Sequence, residues 1–223
     1  MTIVWAAGLD VESYAKLGRA VEIPRPGCPS CQQAMSWWSW YQRDLRPSGP
    51  TGALARLWIR RVRCRLCGIT HALLPTFALA RRLDAVATIG TAVTLAVGGM
   101  GMRAVGRELG VPWSTVRSLR KRHRLRAGIL YAEFAALAVS LGAAAATYSA
   151  VPERAALEAI GFAYAAAAKG FVVAPGEVFG FASAVTGGGW LANNTTSLLF
   201  NPPGVRLAAR ARPAAPPEDS NGP

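Results

Sequence analysis

The 223-residue chain is long enough to bury one large core or two small ones. Its formal net charge of +13 is confined to one part: residues 1–127 carry 20 Lys/Arg against 6 Asp/Glu, and residues 128–223 carry 5 against 6. A GC-rich coding bias alone does not give that split, because the alanines continue where the arginines stop. A basic half implies a polyanionic partner, nucleic acid or an acidic membrane surface.

The opening MTIVWAAGLDVESYAK has no basic leading segment and reaches Asp10 and Glu12 before a long apolar stretch forms, so no secretory signal is expected. The chain is therefore read as cytoplasmic, where paired cysteines more often hold metal than form disulfides. A short helix is expected over DVESYAKLG, then the extended VEIPRP. MSWWSWYQR and ARLWIRRVR are rich in aromatic and β-branched residues and flank PSGPTG (47–52), a strong turn signal. They predict a hairpin.

That hairpin separates two Cys-x-x-Cys hooks, CPSC and CRLC, which hold all four cysteines. Each hook can turn two thiolates toward one ion, so Cys28, Cys31, Cys64 and Cys67 are expected to ligate one structural Zn²⁺. The hairpin carries the chain out and back between them. A redox dithiol would need only one pair and a βαβ context, which is not seen. Four thiolates leave no open coordination position, which argues against hydrolysis, and His71 is expected on a strand near the site. Arg56, Arg60, Arg61, Arg63 and Arg65 crowd the second strand opposite Trp37, Trp38, Trp40 and Tyr41. At least half of these aromatics are assigned to the core, with base stacking as the alternative.

Residues 82–126 read as helical, with breaks at GGMG (98–101) and GVP (110–112). MRAVGRELGVPWSTVRSLRKRHRLRA fits a helix-turn-helix: Val105 and Leu109 are apolar, Gly106 is small, and Gly110 makes the turn. Val111 follows, Pro112 starts the second helix, and Val116 and Leu119 form its inner face. Trp113, Ser114, Thr115, Arg117, Ser118 and Lys121 are the expected outer face toward double-stranded DNA. Arg117 is assigned to a base edge, and Arg120, Arg122, Arg124 and Arg126 to phosphates.

The rest, residues 128–205, reads as Ala-rich helices, one beginning at Pro152, followed by the irregular GGGWLANN loop. AEFAALAVSLGAAAATYSAV contains Glu133 and Gly142 and is mostly alanine, so a packed helix rather than a membrane span is expected. These helices are expected to pack together or to form a homodimer. The Pro-rich tail (206–223) is expected to be disordered.

The segments PRPGCPSC, WYQRDLR, RRVRCRLCGITHALLP and MRAVGRELGVPWSTVRSLRKR together resemble an uncharacterised bacterial family of zinc-binding helix-turn-helix proteins. More distantly, they are similar to the N-terminal zinc-finger and helix-turn-helix region of insertion-sequence transposases. The resemblance covers about residues 20–127 and implies a DNA-binding module. Such transposases continue into a domain with three metal-binding carboxylates, and here the chain departs from them. Its aspartates are Asp10, Asp44, Asp84 and Asp219, and Glu153 and Glu158 suit exposed helical faces.

The expected fold is therefore mainly α, with a small β zinc-ribbon-like module at 1–79. A helix-turn-helix domain at 80–127 and the Ala-rich helical region follow. The expected function is sequence-specific duplex DNA binding without catalysis, as a transcriptional regulator or mobile-element-associated factor. The alternatives are a DNA-targeting subunit or remnant of a recombinase, and a basic membrane-surface or RNA-binding protein.

Overall fold

The structure, a computed structural model, describes residues 2–47, 53–170 and 177–191. Among them, β1 (Thr2–Trp5), α1 (Val11–Leu17) and a 3₁₀ turn (Gly18–Ala20) precede the hairpin β2 (Ser36–Leu45) and β3 (Ala55–Arg63). Then come β4 (Thr70–Pro75), α2 (Val86–Val97), α3 (Met102–Leu109), α4 (Trp113–Ser140), α5 (Pro152–Gly170) and α6 (Val178–Val185).

The architecture is mixed α/β, which corrects the expectation of a mainly α chain with a small ribbon. The expected hairpin exists, but it is half of a four-stranded sheet in the order β1-β4-β3-β2. β4 returns antiparallel to β3, and β1 joins β4 in parallel, from Thr2 opposite Ala72 to Trp5 opposite Pro75. TIVW is too short to show a period of its own, and its partner lies far along the chain. The turn at 47–52, apart from Pro47, lies outside the described residues.

Local chemistry sets the ends of α1. The Asp10 carboxylate accepts from the Ser13 N–H at 2.8 Å, and Gly18 takes φ +58° as the helix stops. Within the helix, Tyr14 is fully buried and its hydroxyl donates to the Trp58 carbonyl at 3.0 Å. It anchors a sheet core with Leu45, Leu57, Ile59, Leu74 and Phe77.

The end of β2 fastens the sheet to the helices. Arg43 donates to the carbonyls of Leu79 and Arg82, and Arg46 pairs with Asp84 at 3.0 Å. Further along, Thr76 donates to the Glu177 carboxylate at 3.4 Å.

The helical core is one continuous cluster that runs from Leu79 to Leu191. α5 begins at Pro152 as expected and buries Ala156, Ala159, Ala163 and Ala167, small side chains at helical spacing that let α4 lie close. The expected boundary between residues 127 and 128 falls inside α4, whose buried stripe continues from Val116 and Leu119 through Ala127 to Phe134 and Ala138. In the glycine loop, Gly187 and Gly188 take φ +58° and +79°, and Trp190 is fully buried. Trp190 stacks on Phe179 with ring centroids 5.0 Å apart. Residues 192–223, including the end of GGGWLANN and the expected disordered tail, lie outside the described residues. No helix of the described residues is long and apolar enough to cross a membrane.

Candidate functional site

The two cysteine hooks fold as near copies. In the first, Gln32 N–H donates to the Cys28 carbonyl at 2.8 Å and Cys28 N–H donates to that of Gln33 at 2.8 Å. In the second, Gly68 N–H donates to the Cys64 carbonyl at 3.0 Å and Cys64 N–H to that of Ile69 at 2.9 Å. Each hook needs a left-handed residue directly after its second cysteine. Gly68 supplies it at φ +71°, and Gln32 at φ +61° despite its side chain.

Because β2 and β3 are paired, their outer ends carry the two hooks to one place. All four Sγ atoms lie within 4.8 Å of one another, with Cys28–Cys67 at 3.5 Å and Cys31–Cys64 at 3.4 Å. Cys28 and Cys64 are buried with Met35, Val62 and Leu73, whereas Cys67 is exposed. The backbone N–H of Cys67 is the main influence holding the Cys64 thiol low, at about 6. Four thiolates this close repel one another unless a cation sits among them, so the cluster could hold a metal ion. His71 is indeed on a strand, β4, opposite Val62 and buried; burial lowers its pKa.

The second candidate surface lies on α3 and α4. α3 ends at Gly110, which adopts φ +65°, and its N–H caps the Gly106 carbonyl. A Cβ on Gly106 would come within 2.7 Å of the Val111 carbonyl oxygen, so only glycine lets the turn close over α3. Val105, Val111, Val116 and Leu119 then meet in the helical core.

α4 divides the basic residues into two groups. Trp113, Ser114, Arg117, Lys121 and Arg124 are exposed and share the side opposite the buried stripe of Val116, Leu119, His123 and Ala127. Thr115 and Ser118 are half-buried at its margins. Three arginines expected at phosphates stand elsewhere. Arg120 lies 3.8 Å from Glu153. Arg126 donates to the carbonyls of Gly189 and Trp190 at 2.8 and 3.0 Å, and Arg122 is half-buried beside it. These side chains flank the buried stripe and meet α5 and the glycine loop. Glu153 and Glu158 also differ from the exposed faces expected for them: the Glu153 side chain is only 15% exposed, and Glu158 accepts from the Ser149 N–H at 2.7 Å.

One arrangement was only partly visible in the sequence. A bulge in β2 skips Trp38, so Trp37 faces Val62 and Trp40 faces Arg60 across the hairpin. Trp37 and Trp40, three residues apart, thereby share one side of the sheet. The Arg60 guanidinium lies between them, 4.8 Å and 4.7 Å from their ring centroids. The crowding of Arg and Trp was visible, but the bulge was not.

With this geometry in place, comparison with known families becomes informative. Residues 28–98 match a domain of unknown function, DUF6431. The match spans both hooks, the hairpin, β4 and α2, and stops before α3. No curated protein and no solved structure matches the chain.

Proposed function

We propose that the chain is a sequence-specific double-stranded DNA-binding protein without a catalytic step of its own, a transcriptional regulator or a factor of a mobile element. α3 and α4 act as a helix-turn-helix, and α4 reads the major groove. The observation that carries this reading is the exposed side of α4, where Trp113, Ser114, Arg117, Lys121 and Arg124 line up. The helix has no acidic residue between Trp113 and Arg126. Arginine near the start of such a helix can pair with a guanine edge, while later basic residues meet phosphates. Arg117 takes the first role, and Lys121 and Arg124 the second.

In the same proposal, Cys28, Cys31, Cys64 and Cys67 hold one structural Zn²⁺. A regular tetrahedron with Zn–S bonds of about 2.3 Å separates its sulfurs by about 3.8 Å. The two closest sulfur pairs, at 3.4 and 3.5 Å, sit near that spacing. The ion would tie the ends of β2 and β3 together and so fix the sheet that carries the helices.

Selection of bound duplexes from a random pool by the full-length protein tests the reading, alongside elemental analysis. Enrichment of a defined sequence, with one zinc per chain, supports it. A pool that stays random, with RNA competing as well as DNA, overturns the sequence-specific part.

A further inference from the structure

Four arginines that the α4 reading does not use are each held against a tryptophan of the sheet. Arg19 lies 3.8 Å from the Trp58 ring centroid, Arg25 lies 5.2 Å from that of Trp37, and Arg63 lies 4.9 Å from that of Trp38. Arg60 fills the space between Trp37 and Trp40. Among the described residues, no carboxylate pairs with any of the four; the nearby acid of the hairpin, Asp44, is engaged by Arg56 at 3.2 Å.

Their arrangement follows from strand geometry. Trp58, Arg60 and Val62 alternate along β3 and so point to one side, and Trp40 and Trp37 lie opposite Arg60 and Val62. The segment after α1 runs extended, and Val21 and Ile23 line the same shallow groove as Trp37, Trp40 and Arg60. Arg19, in the preceding 3₁₀ turn, and Arg25 flank those two residues and lie over Trp58 and Trp37. Arg19 over Trp58, Arg60 itself, and Arg25 over Trp37 (opposite Val62) thus form a row of three guanidiniums at successive levels of β3, roughly 7 Å apart, twice the rise of a strand residue, while Arg63 points from the other side.

Stacking decides what this row can bind. A guanidinium lying flat on an indole is held by cation–π attraction and keeps its N–H edge free for an anion. Trp37 carries the guanidiniums of both Arg25 and Arg60, and Arg60 also covers Trp40, which leaves these rings less open to a base. We infer that the Arg19–Arg60–Arg25 surface grips the phosphodiester backbone of duplex DNA, independently of sequence, as a second contact beside the one made by α4. The inference takes its partner class from the DNA-binding reading, but it assigns a separate surface and a separate role.

The test is the salt dependence of binding by the full-length, zinc-loaded protein to a duplex of unrelated sequence. Replacing the two exposed arginines of the row, R19Q and R25Q together, should lower the slope of log affinity against log salt by about 1.8, or 0.9 per lost phosphate contact. The preferred sequence should not change, and metal content and melting should match the parent, which separates lost contacts from lost folding. Single-stranded DNA should bind no tighter than duplex before or after the change. If the slope is unaltered, or single strands are preferred and that preference falls in a Trp38→Ala variant, the inference is wrong. Tighter binding to phosphatidylserine vesicles than to duplex, lost in the double variant, would assign the surface to a membrane instead. An α4 variant distinguishes the two readings: if Arg117→Ala changes nothing while the double variant still lowers the slope, the α4 reading fails and this one stands.

Discussion

The sheet region and the helical region are stabilised by different means. The helical core is one continuous cluster in which small residues let helices approach closely, as with the alanines of α5 and Gly90 under Phe179. The sheet divides its apolar residues between two smaller clusters, and one of them consists of Cys28, Cys64, Met35, Val62 and Leu73. A core that counts two thiols among its five buried members is small, and metal ligation is the ordinary remedy for a unit of that size. Excess charge does not follow this division: residues 1–79 carry 10 Lys/Arg against 4 Asp/Glu, and residues 80–127 carry 10 against 2.

The largest effect expected from this contrast is selective. Structural zinc sites supply roughly 10–16 kcal/mol of apparent binding energy to their folds. A Cys64→Ser variant should therefore lose metal and the tryptophan near-ultraviolet signal of the sheet, while most helical far-ultraviolet signal persists. Loss of both signals together would show that the two regions do not differ in this way.

The helical region should fail through close packing instead. A Cβ on Gly90 would lie 2.0 Å from the Phe179 ring, which is itself stacked on buried Trp190. Gly90→Ala should cost about 3 kcal/mol, the upper range for an overpacked core, with metal content unchanged. Chemical denaturation measures the loss, and an unaffected midpoint would show that this ring has room to move.

Acid should also act on the helices. His123 is fully buried on α4, with its Nε2 2.8 Å from the Glu153 carbonyl oxygen, and burial lowers its pKa below the usual 6.5. Below that value the unfolded chain binds the proton more readily than the folded one. Stability is therefore present above about pH 6.5 and lost as the pH falls toward the folded value. Comparing melting temperatures of the parent and a His123→Gln variant across that window isolates this contribution from metal loss. The variant should show the shallower pH dependence.

The smallest effect separates the two hooks. Gln32 holds a left-handed conformation that Gly68 adopts freely. Gln32→Gly should stabilise the sheet by about 0.5 kcal/mol, because relief of strain exceeds the added chain entropy of glycine. Gly68→Ala should cost about 1 kcal/mol. Opposite signs in thermal melting are the expected result.

Features set by neighbouring residues were legible in the sequence. The hook spacing, the two aromatic strands and the breaks before α3 and α4 all act within a few residues, and those elements stand where expected; the Pro/Gly turn between the strands lies mostly outside the described residues. The sheet was only half legible, because β1 pairs with a strand far away and is too short to reveal itself. Arg126 illustrates the same limit at the candidate interface: a basic helix suggests phosphates, but the carbonyls that hold it come from Gly189 and Trp190. Trp37 and Trp40 share a side only because the strand bulges at Trp38, and no local pattern signals that register shift.

The central claim is that the outward side of α4 reads DNA, and fluorescence anisotropy on the selected duplex tests it most directly. Arg117→Ala should weaken binding to that duplex by about 1–3 kcal/mol and relax preference at one position. Lys121→Ala with Arg124→Ala should weaken all duplexes alike and reduce the salt slope by about 1.8. Unchanged affinity, preference and salt slope in both variants would contradict the account.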